Sequence, residues 1–305
     1  MNRKSLTIHL SLVLIIAFIF SGFSGCINST VNSTNNQATN NSSPMNQVKN
    51  GDSNPIIVAV SVPPQEEFAE RVGGNHVKVI CLLPPGEDCC EYDPTAGKLT
   101  EISKADIYLA LGTGLNFETV SLPKISEMNK DIQIINTSNN ATLIKGDPHA
   151  WVSPKQAMVM VENIYKALAK KDPNHEEYYR RNKDAYLKDI GKLDNNITNF
   201  LSNSVTRSFM VYPDNWGYFA RDYGLNMLAI NEDNKDPSPT DIQDLVDEAK
   251  AKNITTVFVT PEFNPNSARE MASELGATVA EIDPLAPNYM ENMNNASQTI
   301  ARSMK

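Results

Sequence analysis

Two adjacent cysteines, Cys89 and Cys90, and a histidine that follows an Asp-Pro pair, His149, are the residues of this sequence best suited to chemistry. A thiolate is a nucleophile and a soft metal ligand, and an imidazole moves protons or binds borderline metals. The cysteines lie in the run Gly86-Glu87-Asp88-Cys89-Cys90-Glu91-Tyr92-Asp93-Pro94. Bonded to each other they would close a strained ring, so free thiols or metal ligands are expected. Three further polar stretches carry candidate groups: Asp147-Pro148-His149-Ala150-Trp151, Tyr212-Pro213-Asp214-Asn215-Trp216 and Glu281-Ile282-Asp283-Pro284-Leu285. Catalytic signatures are missing: the chain has no Gly-x-Ser-x-Gly and no His-Glu-x-x-His. Gly112-Thr113-Gly114 lacks the rest of a phosphate-binding fingerprint and reads as a strand-end turn.

The elements that must position these groups follow from alternating patterns. Short apolar runs predict strands at 56–60, 77–83, 107–111 and 132–135, with helices at 65–72 and 96–103. Ser153-Pro154 opens a helix to about Lys170, with Ser as cap and Pro at its first position. Asp172-Pro173 opens another, whose apolar stripe runs from Tyr179 to about Leu201. About 28 residues at 1.5 Å each make a rod of roughly 42 Å, more than one lobe needs. Strands at 208–212, 226–230, 256–259 and 278–282 then alternate with helices at 218–223, 239–252 (capped by Ser238), 265–275 and 290–303. The predicted fold is α/β: two lobes, each a mainly parallel sheet with flanking helices, joined by one long backbone helix. The boundaries fall at 55–172, 173–202 and 203–305. All four polar stretches follow predicted strands, where open α/β sheets place ligands.

Several ordered motifs resemble those of solute-binding protein family 9, the zinc- and manganese-uptake lipoproteins of ABC importers. They include Pro84-Pro85-Gly86, Tyr92-Asp93-Pro94-Thr95, Asp147 to Pro154, Gly217 to Leu225, Pro237-Ser238-Pro239 and Asp283-Pro284-Leu285. The resemblance implies a divalent ion held between the lobes and delivered to a permease. It places ligands at His149 and Asp283, and at Cys90 where the family usually has histidine. The family's remaining ligand position falls on Pro213, which has no donor, so Asp214 next to it is the expected substitute. Cys89 is expected to point away, since adjacent side chains diverge. Thiolate with imidazole favours zinc, then copper, over Mn²⁺. Residues 122–145 hold no histidine, unlike the His-rich loop of many zinc members. The alternatives are a cleft that binds a non-metal ligand, a sensor or adhesin, and a metallohydrolase with Glu262 as its base.

The N-terminus sets the compartment. Arg3 and Lys4, an apolar run from Leu6 to Phe20 and Phe23-Ser24-Gly25-Cys26 resemble a lipoprotein signal, with residues 1–25 removed and Cys26 lipidated. Residues 26–54 are rich in Asn, Ser and Thr and read as a tether. The expected product is a monomer anchored by lipid outside the cytoplasm. The formal charge of the chain is −9, and −11 once Arg3 and Lys4 are lost with the signal. That balance argues against nucleic acid as a partner.

Overall fold

A computed structural model describes residues 54–231 and 239–305. The signal, Cys26, nearly all of the tether and Ser238 lie outside the described residues. The folded part contains two four-stranded sheets. In the first, β1 (Ile56–Val60), β2 (Val77–Cys81), β3 (Ile107–Ala110) and β4 (Gln133–Asn136) are ordered β2-β1-β3-β4. In the second, β5 (Ser208–Tyr212), β6 (Asn226–Ala229), β7 (Thr256–Val259) and β8 (Thr278–Glu281) repeat that arrangement as β6-β5-β7-β8. Every pairing is parallel. Parallel strands are covered on both faces, and the central strand β3 is accordingly buried at all of its positions.

The helices are α1 (Pro64–Gly73), α2 (Ala96–Ile102), α3 (Asn116–Met128), α4 (Pro154–Lys171), α5 (Glu176–Ser202), α6 (Gly217–Tyr223), α7 (Pro239–Ala251), α8 (Asn266–Leu275) and α9 (Tyr289–Ser303). The expected rod is present. A 3-10 turn at Pro173–His175 leads into α5, which runs through Gly191 without a break. Its buried stripe is Tyr179, Tyr186, Ile190, Leu193, Ile197 and Leu201, a spacing of three, four and seven that keeps one helical face inward. That face packs on α1 and α4 of the first lobe and on α9 of the second. Polar contacts repeat the pattern. Tyr186 donates to Glu67 at 3.1 Å in the first lobe, and Tyr223 of α6 donates to Asp194 at 2.7 Å in the second. One apolar core therefore continues from Val58 to Met304.

The sequence patterns did not reveal α3. Pro123 sits inside it, where a proline removes a backbone donor, and the helix has only a weak apolar face. Its position is fixed by Glu118, which is buried and accepts from the backbone N–H groups of Leu111 and Gly112 at 2.6 and 2.8 Å. At the other end of the lobe Ser153 caps α4 as expected, accepting from the Gln156 N–H at 3.4 Å. Among the described residues, no helix is long and apolar enough to cross a membrane.

Candidate metal centre

Because all strands of a sheet run in one direction, the loops at their carboxyl ends collect on one side. After β2 the chain enters the turn that carries both cysteines. Asp88 shapes it: its Oδ1 accepts from the Cys90 N–H at 2.9 Å, and its carbonyl accepts from the Tyr92 N–H at 3.0 Å. After β4 the chain reaches Asp147, whose Oδ1 accepts from the His149 backbone N–H at 2.8 Å and lies 2.9 Å from His149 Nδ1. That bond fixes the ring so that Nε2 faces the cysteines, the arrangement by which carboxylates orient metal-binding histidines.

Cys89 Sγ and Cys90 Sγ each lie 3.6 Å from His149 Nε2, and 3.9 Å from each other. The expectation that Cys89 would point away is therefore corrected. Adjacent side chains oppose each other in a strand, but here the backbone is wound into a turn by Asp88, so both sulfurs approach one point. A tetrahedral zinc site with bonds of about 2.3 Å to sulfur and 2.0–2.1 Å to nitrogen spaces its sulfurs roughly 3.8 Å apart and its sulfur–nitrogen pairs roughly 3.6 Å apart. The three donors already have the dimensions of one face of that tetrahedron.

The charges in the cluster also suit a cation. A hydrogen bond from the Cys89 thiol stabilises the Cys90 thiolate, and despite burial the Cys90 pKa falls to about 5, with His149 also contributing. The same bond, together with burial, pushes Cys89 well above its ordinary value. For His149, burial works to lower the pKa, but the bond to Asp147 and the Cys90 thiolate prevail and raise it to about 9. Asp88 is pushed up to about 6 by burial, and its Oδ2 is buried without a hydrogen-bond partner. An orphaned carboxylate oxygen beside a thiolate is a cost that a bound cation would relieve. Cys81, by contrast, is raised by burial, its thiol lies 3.7 Å from the Ser61 carbonyl, and it is not among the gathered donors.

The cluster opens into a cavity of about 460 Å³ whose wall includes Cys90, Lys145, Asp147, His149 and Asp214. Asp214 thus shares the cavity with two of the converging donors, and burial raises its pKa. Asp283 is placed differently. Like Asp214, it lies outside the group whose donor atoms gather within 4.8 Å; unlike Asp214, it is not in the cavity wall, and its Oδ1 accepts from the Leu285 N–H at 2.6 Å, bracing the turn at Pro284. Glu262, on the loop after β7, is half-buried, and burial followed by the charges of Asp283, Asp88 and Glu281 pushes it up to about 7.

The second lobe also holds the histidine segment in place. Tyr218 of α6 accepts from the Ile144 N–H at 2.9 Å and donates to the Asp147 carbonyl at 3.1 Å. Trp151 Nε1 donates to the Pro284 carbonyl at 2.7 Å. Asp147 approaches the start of α6 so closely that a Cβ on Gly217 would stand 2.5 Å from its Oδ2. Any larger residue there would have to displace the Asp147 carboxylate that orients His149.

Two parallel-sheet lobes spanned by one helix, with a cleft loop of thiols and imidazole, define a two-lobed binding protein of the metal-uptake type. The chain belongs to the family described as ZnuA, zinc-uptake complex component A, periplasmic, whose model matches residues 58–303. Among solved structures, a crystal structure of ZnuA is 33% identical and superposes with a TM-score of 0.79, covering 82% of this chain and 100% of that one. Among curated proteins, the zinc-binding protein AdcA of Streptococcus pyogenes serotype M1 is 28% identical over 261 residues, 75% of this chain and 50% of AdcA. The chain thus spans about half the length of that relative. The iron-binding protein YfeA of Yersinia pestis is 28% identical over 259 residues, 78% of this chain and 82% of YfeA.

Proposed function

We propose that this protein is the extracytoplasmic substrate-binding component of an ABC importer for a transition-metal ion, with Zn²⁺ the first choice and Cu⁺ the second. Cys89, Cys90 and His149 bind the ion, and Asp214 completes the coordination from the cavity wall. Asp283 braces the loop that receives Trp151 rather than touching the metal. The observation that carries this reading is the spacing of the three donors, 3.6, 3.6 and 3.9 Å. A hard ion such as Mn²⁺ gains little from two sulfurs, so the donor set disfavours it. The family and the relatives named for zinc support the same assignment. In this reading Cys26 carries a lipid, residues 26–54 form the leash, and the monomer hands its ion to a permease in the same membrane.

Titration calorimetry of the untagged protein with Zn²⁺, Cu⁺ and Mn²⁺ under reducing conditions tests it. Tight binding of Zn²⁺ and Cu⁺ and weak binding of Mn²⁺ are expected, with Cys89→Ser and Cys90→Ser each losing most of the affinity. Equal affinity for all three ions, or none for any, overturns the assignment. The second outcome would move the cleft to a non-metal ligand or an adhesive role.

A further inference from the structure

A second group of metal-ligating side chains lies at the corner where the linking helix begins. His76 closes the 3-10 turn before β2, Asp172 ends α4, and His175 closes the 3-10 turn before α5. A ring nitrogen from each imidazole and a carboxylate oxygen of Asp172 lie within 4.8 Å of one another, and all three residues are half-buried. The two imidazoles stack, with ring centroids 3.9 Å apart and 28° between their planes.

The arrangement repeats the logic of the cleft. Asp172 Oδ2 lies 2.6 Å from His175 Nδ1 and accepts from the Tyr179 hydroxyl at 2.9 Å. His175 Nδ1 is thereby occupied and its Nε2 is left available, as Asp147 leaves Nε2 of His149 available. Both bonds to Asp172 fall on one oxygen, so the other takes part in neither. Tyr178 packs edge-on against His76 at 4.9 Å and closes the apolar side of the group. Lone pairs lie in the ring planes, so an ion shared by both rings requires one imidazole to turn about its χ2. The rotation exchanges a stacking contact for a metal bond.

We propose that His76, Asp172 and His175 form a second metal site, lined by nitrogen and oxygen, for a borderline divalent ion such as Zn²⁺, Ni²⁺ or Cu²⁺. The donor set has no sulfur, so it ranks ions differently from the cleft and has no preference for Cu⁺. Bound there, an ion ties the turn before β2 to the corner between α4 and α5, two segments almost a hundred residues apart in sequence. The site is independent of the cleft assignment.

The test uses the full-length, untagged chain in detergent, with Co²⁺ and Zn²⁺ as probes. Thiolate bonds to Co²⁺ give near-ultraviolet charge-transfer absorption, whereas nitrogen and oxygen donors do not, so spectrum and stoichiometry separate the two sites. The wild type is expected to bind two ions, only one with charge transfer. His76→Gln/His175→Gln should bind one, with the charge-transfer band intact. Cys89→Ser/Cys90→Ser should lose that band yet retain one ion, and excess Zn²⁺ should still raise its melting temperature. That rise should vanish when the two histidines are also replaced. Unchanged stoichiometry in the histidine variant overturns the proposal while leaving the cleft reading intact. An ion lost with the histidines, in a protein that never shows charge transfer, overturns the cleft reading instead.

Discussion

The two sheets share a strand order, yet the loops at their carboxyl ends differ in chemistry. In the first lobe, the loops after β2 and β4 supply two thiols and an imidazole, already within 3.9 Å of one another. In the second, the loops after β5, β7 and β8 supply carboxylates, Asp214, Glu262 and Asp283, which are more dispersed and whose pKa values burial raises. The first lobe gathers soft donors at one point, and the second presents hard oxygen groups on its own loops. A repeated topology has thus been given two different roles. In the function proposed above, one half selects the metal by donor type, and the other sets charge and closes the coordination.

The largest expected effect falls on the first lobe. His149→Ala, or Cys89→Ser with Cys90→Ser, should weaken Zn²⁺ binding by more than the ~10–100-fold that loss of an orienting partner costs. Competition against a chromophoric chelator measures it. Retained affinity in Cys89→Ser alone would return the site to a single thiolate. Asp147→Asn comes next, with a loss of about 10–100-fold, because it keeps the ring's shape but removes the anion that fixes its tautomer. If His149→Ala and Asp147→Asn proved equally damaging, Asp147 would be doing more than orienting the ring.

The protonation states give a third test. With Cys90 lowered to about 5 and His149 raised to about 9, the free protein near neutrality carries a thiolate, an imidazolium and, at Cys89, a neutral thiol. Metal entry must therefore expel two protons, one from Cys89 and one from His149. Between about pH 5 and 9 the affinity should rise by about two powers of ten per pH unit, and by only one in Cys89→Ser. Above pH 9 the wild-type slope should fall toward one, because His149 is already neutral. The smallest effects belong to the second lobe. Asp214→Asn, which removes the charge but leaves an amide oxygen able to stay on the ion, should weaken binding by about tenfold. Asp283→Asn should lower the melting temperature and leave affinity nearly intact; the reverse result would exchange the roles of these two carboxylates.

The outline of the fold was readable from sequence because it depends on local signals. Strand runs were bounded by turn residues, Ser153-Pro154 announced α4, and the stripe from Tyr179 to Leu201 announced α5. What escaped was non-local or exceptional. The helix α3 carries a proline inside it and is anchored by Glu118 to the backbone of an earlier strand end. In the candidate site, the approach of Cys90 to His149 follows from their motifs, but that of Cys89 does not, because pairwise spacing does not reveal backbone shape. The signal was nevertheless present. Asp88, two residues before Cys90, is the residue type that winds a chain into a turn through its own side chain.

The chain has only two tryptophans, and Trp151 is buried with its ring centroid 5.3 Å from that of His149 and its indole N–H bonded across the cleft to Pro284. The indole therefore sits where replacement of a proton on His149 by a metal ion changes its electric surroundings. A protonated imidazole beside an indole drains its excited state, and a closed-shell ion bound in place of that proton relieves the drain. If His149 binds the ion as proposed, Trp151 becomes an optical gauge of occupancy: emission followed in real time without a label should brighten with Zn²⁺ and darken with a redox-active ion such as Cu²⁺.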